Sequence, residues 1–309
     1  MYISEQDVRA LLTYEALIPA IRQALIDYSA GKVEQPARMI LRAGNAEGHR
    51  NGWFAVMPAI HGDAMAVKTV TFYPGNAELG LHTHMAVVEL LSRATGEPLA
   101  LMDGRLITEM RTAAVSAVAL AALRPAGARS LGILGSGVQA RAHIEAFRHV
   151  WPERGEIRVW SRTQANAQKL AAEAGARAAS IEEASAADVV LTVTSAPAPI
   201  LEGSRLAAHS LVLAVGATGA SLREIDDEAM RSGTVIAESR SCAERESADV
   251  RSSGAKIYAE IGEILSGAVA APATRRVLFK SVGMAIEDLT AARLVWQARG
   301  VRSASLPAH

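Results

Sequence analysis

The chain has 309 residues, 50% of them hydrophobic and 21% charged, enough to bury a large core and more than a single domain usually holds. Its 32 basic and 32 acidic side chains cancel, which removes the electrostatic footprint of a nucleic-acid or anionic-membrane binder. A lone cysteine, Cys242, excludes an intramolecular disulfide framework and suits a reducing compartment.

At the start, "MYISEQDVRALL" lacks the basic and apolar regions of a secretory leader, and the longest uncharged apolar run, Thr112 to Leu123, is too short to span a bilayer. A cytoplasmic protein is expected. Residues 1 to about 30 read as helical, with Val8, Leu11, Leu12, Ile18, Ile21 and Leu25 at roughly helical spacing. From Glu34 to Asp103 the texture turns to short β-rich runs, "ARMILRA", "WFAVMPAI", "AMAVKTVTF", "THMAVVELL" and "PLALMDG". The last two flank "SRATGE", a hairpin signal, so this region is α+β with an antiparallel sheet.

An Ala-rich helix, roughly Thr108 to Leu123, then stops at "RPAGAR". Beyond it apolar strands, "SLGIL", "EIRVW", "DVVLTVT", "SLVLAV" and "TVIAE", alternate with helical stretches. That alternation predicts an α/β domain built on a parallel, doubly covered sheet. "RRVLFKSVGMAIEDLTAARLVWQA" reads as a strand, a glycine turn and a final helix.

Between the first of those strands and its helix stands Gly135-Ser136-Gly137-Val138-Gln139-Ala140. A GxGxxA pattern is weak alone, but a strand before it and a helix after it are the arrangement that dinucleotide binding requires. Gly135 permits the tight turn, Gly137 leaves room for a pyrophosphate, and Ala140 lets helix and sheet pack closely. The expectation is a Rossmann-type domain. Its second strand runs into Ser161-Arg162-Thr163, with no acid for a ribose 2′-OH. A guanidinium and two hydroxyls suit a 2′-phosphate, so NADP(H) is preferred and NAD(H) possible; the alternative is that Arg162 is a solvated loop residue.

Three cations stand out before the glycine loop: Arg38, Lys68 and Arg111. A lysine inside an apolar strand is costly to bury unless it meets an anion. Lys68 is therefore either that or an edge lysine with its stem laid along the sheet. Together the three could clamp a substrate carboxylate. A short-chain-dehydrogenase lysine is missing after Tyr258, which is followed by "AEIG". His82 and His84 lack companion ligands, so no metal is expected.

Seven segments resemble the ornithine cyclodeaminase/mu-crystallin family, in the family's order: "VKTVTFYPGN", "GLHTHMAVVELLSRATGEPLALMDG", "LITEMRTAAVSA", "LGILGSGVQARAH", "VWSRTQANAQKLA", "AVGA…REID" and "LFKSVGMAIEDLTAARLV". The resemblance implies a homodimer whose smaller α+β domain, residues 1–115, supplies the substrate site and the dimer interface. A C-terminal helix at about 288–309 returns to it, and residues 116–287 form the dinucleotide-binding domain. It further implies that Arg38, Lys68 and Arg111 hold the carboxylate of a small amino or imino acid, with Thr83 beside them and Lys68, Arg111 and Thr83 as the catalytic set. The cofactor set is Gly135 to Gln139, Ser161 to Thr163, Thr194, Val215, Gly216, Ser281 and Gly283.

Family members run different reactions on this site. Cyclodeaminases use bound NAD and an aspartate after "VGG"; here that position is Thr218, and Asp226 lies too far along to replace it. The implied activity is NAD(P)H-dependent reduction of a cyclic imine of the pyrroline-2-carboxylate or piperideine-2-carboxylate type. The alternatives are cyclodeamination of ornithine and an alanine-dehydrogenase-like oxidation.

Overall fold

The computed structural model describes residues 1–44, 51–219, 222–273 and 276–300. Its strands in chain order are β1 (Tyr2–Ile3), β2 (Met39–Ala43), β3 (Gly52–His61), β4 (Ala64–Phe72), β5 (His84–Ser92), β6 (Pro98–Asp103), β7 (Leu131–Leu134), β8 (Ile157–Trp160), β9 (Arg177–Ala178), β10 (Val189–Thr192), β11 (Ser210–Ala214), β12 (Thr234–Ala237), β13 (Ile257–Glu260) and β14 (Arg276–Lys280). The helices are α1 (Glu5–Leu11), α2 (Tyr14–Ser29), α3 (Arg105–Leu123), α4 (Val138–Val150), α5 (Gln164–Ala174), α6 (Ile181–Ser185), α7 (Asp227–Ser232), α8 (Arg240–Glu246), α9 (Ala248–Ser253), α10 (Ile261–Leu265) and α11 (Ala285–Ala298).

Two compact units share the chain. The first holds Met1–Ala24, Gly31–Arg111 and the chain from Met284 on; the second holds Leu25–Ala30 and Thr112–Gly283. The expected divisions at 115/116 and 287/288 thus stand four residues late at both places, and the last turn of α2 goes with the second unit. The final helix, expected at about 288–309, begins at Ala285 and ends at Ala298, and the rest of that expectation lies outside the described residues.

In the first unit six strands run in the order β1-β6-β5-β4-β3-β2, antiparallel except for the β1–β6 pair. The two-residue β1 went unread in the sequence because two residues carry no periodicity. Alternation in β4 buries Ala64, Ala66 and Lys68 on one face, level with Ala86, Val88 and Leu90 of β5 and Met57 of β3. On this inner face α11 packs across β3, β4 and β5 through buried Ile286, Leu289 and Val295. The outer face is apolar and exposed: Leu41, Phe54, Thr71 and Met85 line up across β2 to β5, and Met39, Val87 and Leu101 lie on the same side.

In the second unit eight parallel strands run in the order β13-β12-β14-β11-β10-β7-β8-β9. The order reverses between β7 and β10, which makes the carboxyl ends of those strands the crevice where such sheets bind ligands. Their sequences are short apolar runs because both faces are covered: β7, β10 and β11 are buried throughout. Among the described residues one helix, α3, is long and apolar enough to cross a membrane; 78% of that stretch is buried inside the protein, as in a core helix.

Candidate functional site

In the first unit, Lys68 settles the alternatives the sequence left open. Its side chain is 1% exposed, and Nζ stands 2.7 Å from Asp288 Oδ2 on α11. Arg111, on α3, reaches the same carboxylate through Nε (3.2 Å to Oδ1) and Glu287 Oε2 through Nη1 (2.5 Å). Burial pushes the Lys68 ammonium down to about 8; Asp288 opposes this, whereas the charges of Arg111 and Arg38 add to it. Arg38 therefore belongs to the same electrostatic cluster. So does His84, on the same face of β5 as Val88, which burial and the charges of Lys68 and Arg111 drive down to about 4, leaving it neutral. Thr83, one residue earlier, is half-buried, and its carbonyl accepts from Tyr73 N at 2.8 Å.

Lys68 and Arg111 thus meet two carboxylates, Asp288 and Glu287, beside a neutral imidazole, with Arg38 near enough to add its charge. The two acids were not read from the sequence. Both stand in the first turn of α11, where acids ordinarily complement the helix dipole. Their signal was subtler: "AIEDL" places them inside an otherwise apolar helix, and both are buried.

In the second unit the glycine loop has the shape that a pyrophosphate needs. Gly135 has φ +129°, and a Cβ there would stand 2.7 Å from the Val193 carbonyl. At Gly137, the N-cap of α4, a Cβ would meet nothing within 4 Å, so the ground before the helix N-terminus is open. Ala140 is fully buried against the sheet. Val138 is exposed and Gln139 half-buried beside the loop. Ser136 Oγ donates to Ser161 Oγ at 2.9 Å, which ties the loop to the end of β8, and Arg141 Nη1 donates back to Ser136 O at 3.0 Å. Arg162 and Thr163 are exposed, and among the described residues no carboxylate pairs with Arg162.

Thr194, Val215 and Gly216 lie at the carboxyl ends of β10 and β11, where a fully buried acid, Glu224, organises them. Its carboxylate accepts from Thr192 Oγ1, from the Thr194 amide and hydroxyl, and from the amides of Gly216 and Ala217. The hydroxyl of Thr194 donates to Glu224, which fixes this expected cofactor residue at its strand end. Buried Glu238 does the same for the Ser281–Gly283 turn: it accepts from Ser281 Oγ and from the amides of Val282 (3.0 Å) and Gly283 (2.8 Å), and Gly283 has φ +80°. Lys280 braces the Glu224 network by donating to Ala217 O and pairing with Asp249, whose other oxygen accepts the Glu224 and Ile225 amides, while the Lys280 carbonyl accepts from Glu238 N. None of these acids was assigned a role from the sequence, because nothing local distinguishes them from surface acids.

Thr218, where cyclodeaminases carry an aspartate, is half-buried and uncharged. Asp226 caps α7, accepting from Ala229 N at 2.7 Å and Gly203 N at 3.1 Å, so it is occupied in holding the backbone. Among the described residues no group of three metal-ligating side chains occurs.

Residues 1–300 match the sequence pattern of the ornithine cyclodeaminase/mu-crystallin family. The chain belongs to this family. It is 43% identical over 305 residues to the mouse ketimine reductase mu-crystallin, covering 96% of each chain. Among solved structures, this family member resembles the Thermococcus litoralis Δ1-pyrroline-2-carboxylate reductase in complex with NADH and L-proline, at 32% identity and a TM-score of 0.88, covering 96% of this chain and 97% of that one. It also resembles an archaeal alanine dehydrogenase dimer with bound NAD, at 27% identity and a TM-score of 0.90, covering 98% of both.

Proposed function

We propose that the protein is an NAD(P)H-dependent reductase of a cyclic imino acid of the pyrroline-2-carboxylate or piperideine-2-carboxylate type. The observation that carries this is the buried Lys68–Arg111–Asp288 cluster, which gathers an ammonium and a guanidinium on one acid and suits a substrate carboxylate placed beside a C=N bond. Arg111 and Lys68 pair with that carboxylate, Arg38 assists, and Thr83 lines the same pocket as a hydrogen-bonding group. Holding the substrate this way fixes the C=N carbon for attack, an orientation effect. The residues that would hold the dinucleotide are the amides after Gly137 at the open N-terminus of α4, with Gln139 beside them, and the backbone of the Ser281–Gly283 turn. When bound, the dinucleotide supplies a hydride to the C=N carbon. Lys68 gives a proton to the nitrogen, so that one imine takes up one hydride at carbon and one proton at nitrogen to become the saturated cyclic amino acid. Lys68 then recovers its proton from solvent.

Cyclodeamination is disfavoured because Thr218 offers no carboxylate to orient a second amine and Asp226 is spent on a helix cap. The names of the mouse and Thermococcus relatives agree with reduction. The test is oxidation of the reduced nicotinamide, followed by absorbance, with each cyclic imine, beside an assay for proline and ammonia from ornithine. Proline formed without net cofactor consumption would overturn the reading.

NADP(H) is the preferred dinucleotide on this reading, because Arg162 is exposed and unpaired at the end of β8, where NAD-selective folds place an acid. Arg162→Ala is expected to raise KM for NADPH roughly 10–100-fold, the worth of one charge-assisted contact, and to leave KM for NADH nearly unchanged. An equal effect on both cofactors would remove the 2′-phosphate from the argument. We place the protein in the reducing cytoplasm as a homodimer. The apolar outer face of the β1–β6 sheet, with Met39, Leu41, Met85 and Leu101 each more than 40% exposed, fits burial against a second copy. A monomer by sedimentation would count against this.

A further inference from the structure

Asp288 divides its two oxygens between two elements, Oδ2 to Lys68 on β4 and Oδ1 to Arg111 on α3, from a side chain that is 1% exposed. We propose that Asp288 is the positioning residue of the reductase site: it fixes the Lys68 ammonium and the Arg111 guanidinium on one bearing and keeps Lys68 charged, ready to give its proton. This rests on the reductase reading above and deepens it.

The surroundings of Lys68 leave this task to α11. Facing it are Arg111 from α3, Arg38 from the stretch before β2, His84 from β5, and Asp288 with its neighbour Glu287 from α11; its cross-strand partners Met57 and Val88 are apolar. Both arginines repel an ammonium, burial disfavours it, and His84 is neutral. Asp288 is the acid within ion-pair distance of Nζ. Without that carboxylate, burial and the charges of Arg111 and Arg38 favour the free amine while Glu287 is engaged by Arg111, so Lys68 would surrender its proton to solvent at lower pH. Its stem, no longer anchored, would also be free to turn away from the substrate nitrogen.

The experiment compares Asp288→Asn, Asp288→Glu, Lys68→Met and the double variant Lys68→Met/Asp288→Asn with the unaltered full chain. The wild type should lose kcat/KM above about pH 8 as Lys68 deprotonates. Asp288→Asn should bind the reduced dinucleotide normally, by fluorescence titration. It should lose about 10–100-fold in kcat/KM at pH 8, with its basic limb moved down by roughly one pH unit or more. Asp288→Glu should recover part of both. In melting experiments the double variant should unfold at a higher temperature than Asp288→Asn alone, because methionine removes the cation that asparagine orphans. A basic limb unmoved in Asp288→Asn overturns the proposal, as do strictly additive melting shifts. Should the wild type reduce neither imine, the reductase reading falls, and the melting cycle still decides whether Asp288 and Lys68 act as a pair.

Discussion

Lys68→Met is expected to lower kcat/KM for the cyclic imine by about a thousandfold or more while NADPH affinity changes less than about twofold. Methionine fills a similar volume in the same strand position, so the inner face of β4 stays packed against α11. The substitution removes a buried ammonium whose desolvation opposes folding, and Asp288 Oδ1 keeps Arg111 as a partner, whereas the buried Oδ2 loses its ion-pair partner. Stability should therefore fall by no more than about 3–5 kcal/mol, by urea unfolding, and normal NADPH binding in the same variant separates lost turnover from a damaged fold. Two contributions vanish together: the proton for the substrate nitrogen and one of the cations on its carboxylate. Because the first acts in the transition state, kcat should fall and not only KM rise. Turnover within tenfold of wild type would remove Lys68 from the chemistry.

Two glycines of the second unit should answer the same substitution in opposite ways. At Gly216 an alanine Cβ would stand 2.2 Å from both the amide nitrogen and the carbonyl oxygen of Thr194, and 2.5 Å from Glu224 Oε1. These are backbone atoms and a carboxylate held by five donors, so nothing nearby can rotate away. Separating them breaks the accepted bonds from Thr194, Gly216 and Ala217, each from a buried donor. Gly216→Ala is expected to cost about 3 kcal/mol or more, beyond ordinary overpacking, and to weaken the dinucleotide as a secondary effect. Gly137→Ala meets open space, so its cost should stay near or below about 1 kcal/mol, the difference between glycine and alanine at an N-cap. The methyl group would nonetheless occupy the approach of a pyrophosphate. Loss of dinucleotide binding with a normal urea midpoint is the expected result. Normal binding in Gly137→Ala would mean that the phosphates lie elsewhere.

The contrast between these glycines shows what was legible in the sequence. Gly135 and Gly137 announce themselves because strand, turn and helix are contiguous, and local order is what periodicity reports. The same holds for β7, β8 and β10 to β12 and for the hairpin of β5 and β6, where each signal spans a few residues. Lys68 was visible as a cation out of place in an apolar strand and Arg111 as the charge that opens an uncharged helical segment, while Arg38 had no such signal; the structure brings the three into one electrostatic cluster. Their acidic partners were not visible, because Asp288 meets Lys68 through the packing of α11 on the sheet, and no local pattern encodes that contact. Glu224 and Glu238 were hidden for the same reason. Thr194, expected among the cofactor contacts, is held at its strand end by one of these hidden acids, whose carboxylate accepts from its amide and hydroxyl.

The contact between Arg111 and Asp288 closes over 177 residues of chain. A ribosome adding about 5–20 residues each second needs roughly ten to thirty-five seconds to cover that stretch. Throughout, β3 to β5 have emerged with Val88, Leu90 and the Lys68 ammonium lacking the cover that α11 provides. The nascent chain therefore carries a sticky face with an unmatched charge while the whole second unit is being made, a strong claim on holding chaperones. Chains cut short before Ala285 should accumulate in aggregates, not as soluble fragments, and no such product can bring Asp288 to Lys68 and Arg111. Translation must reach α11 before that cluster can close.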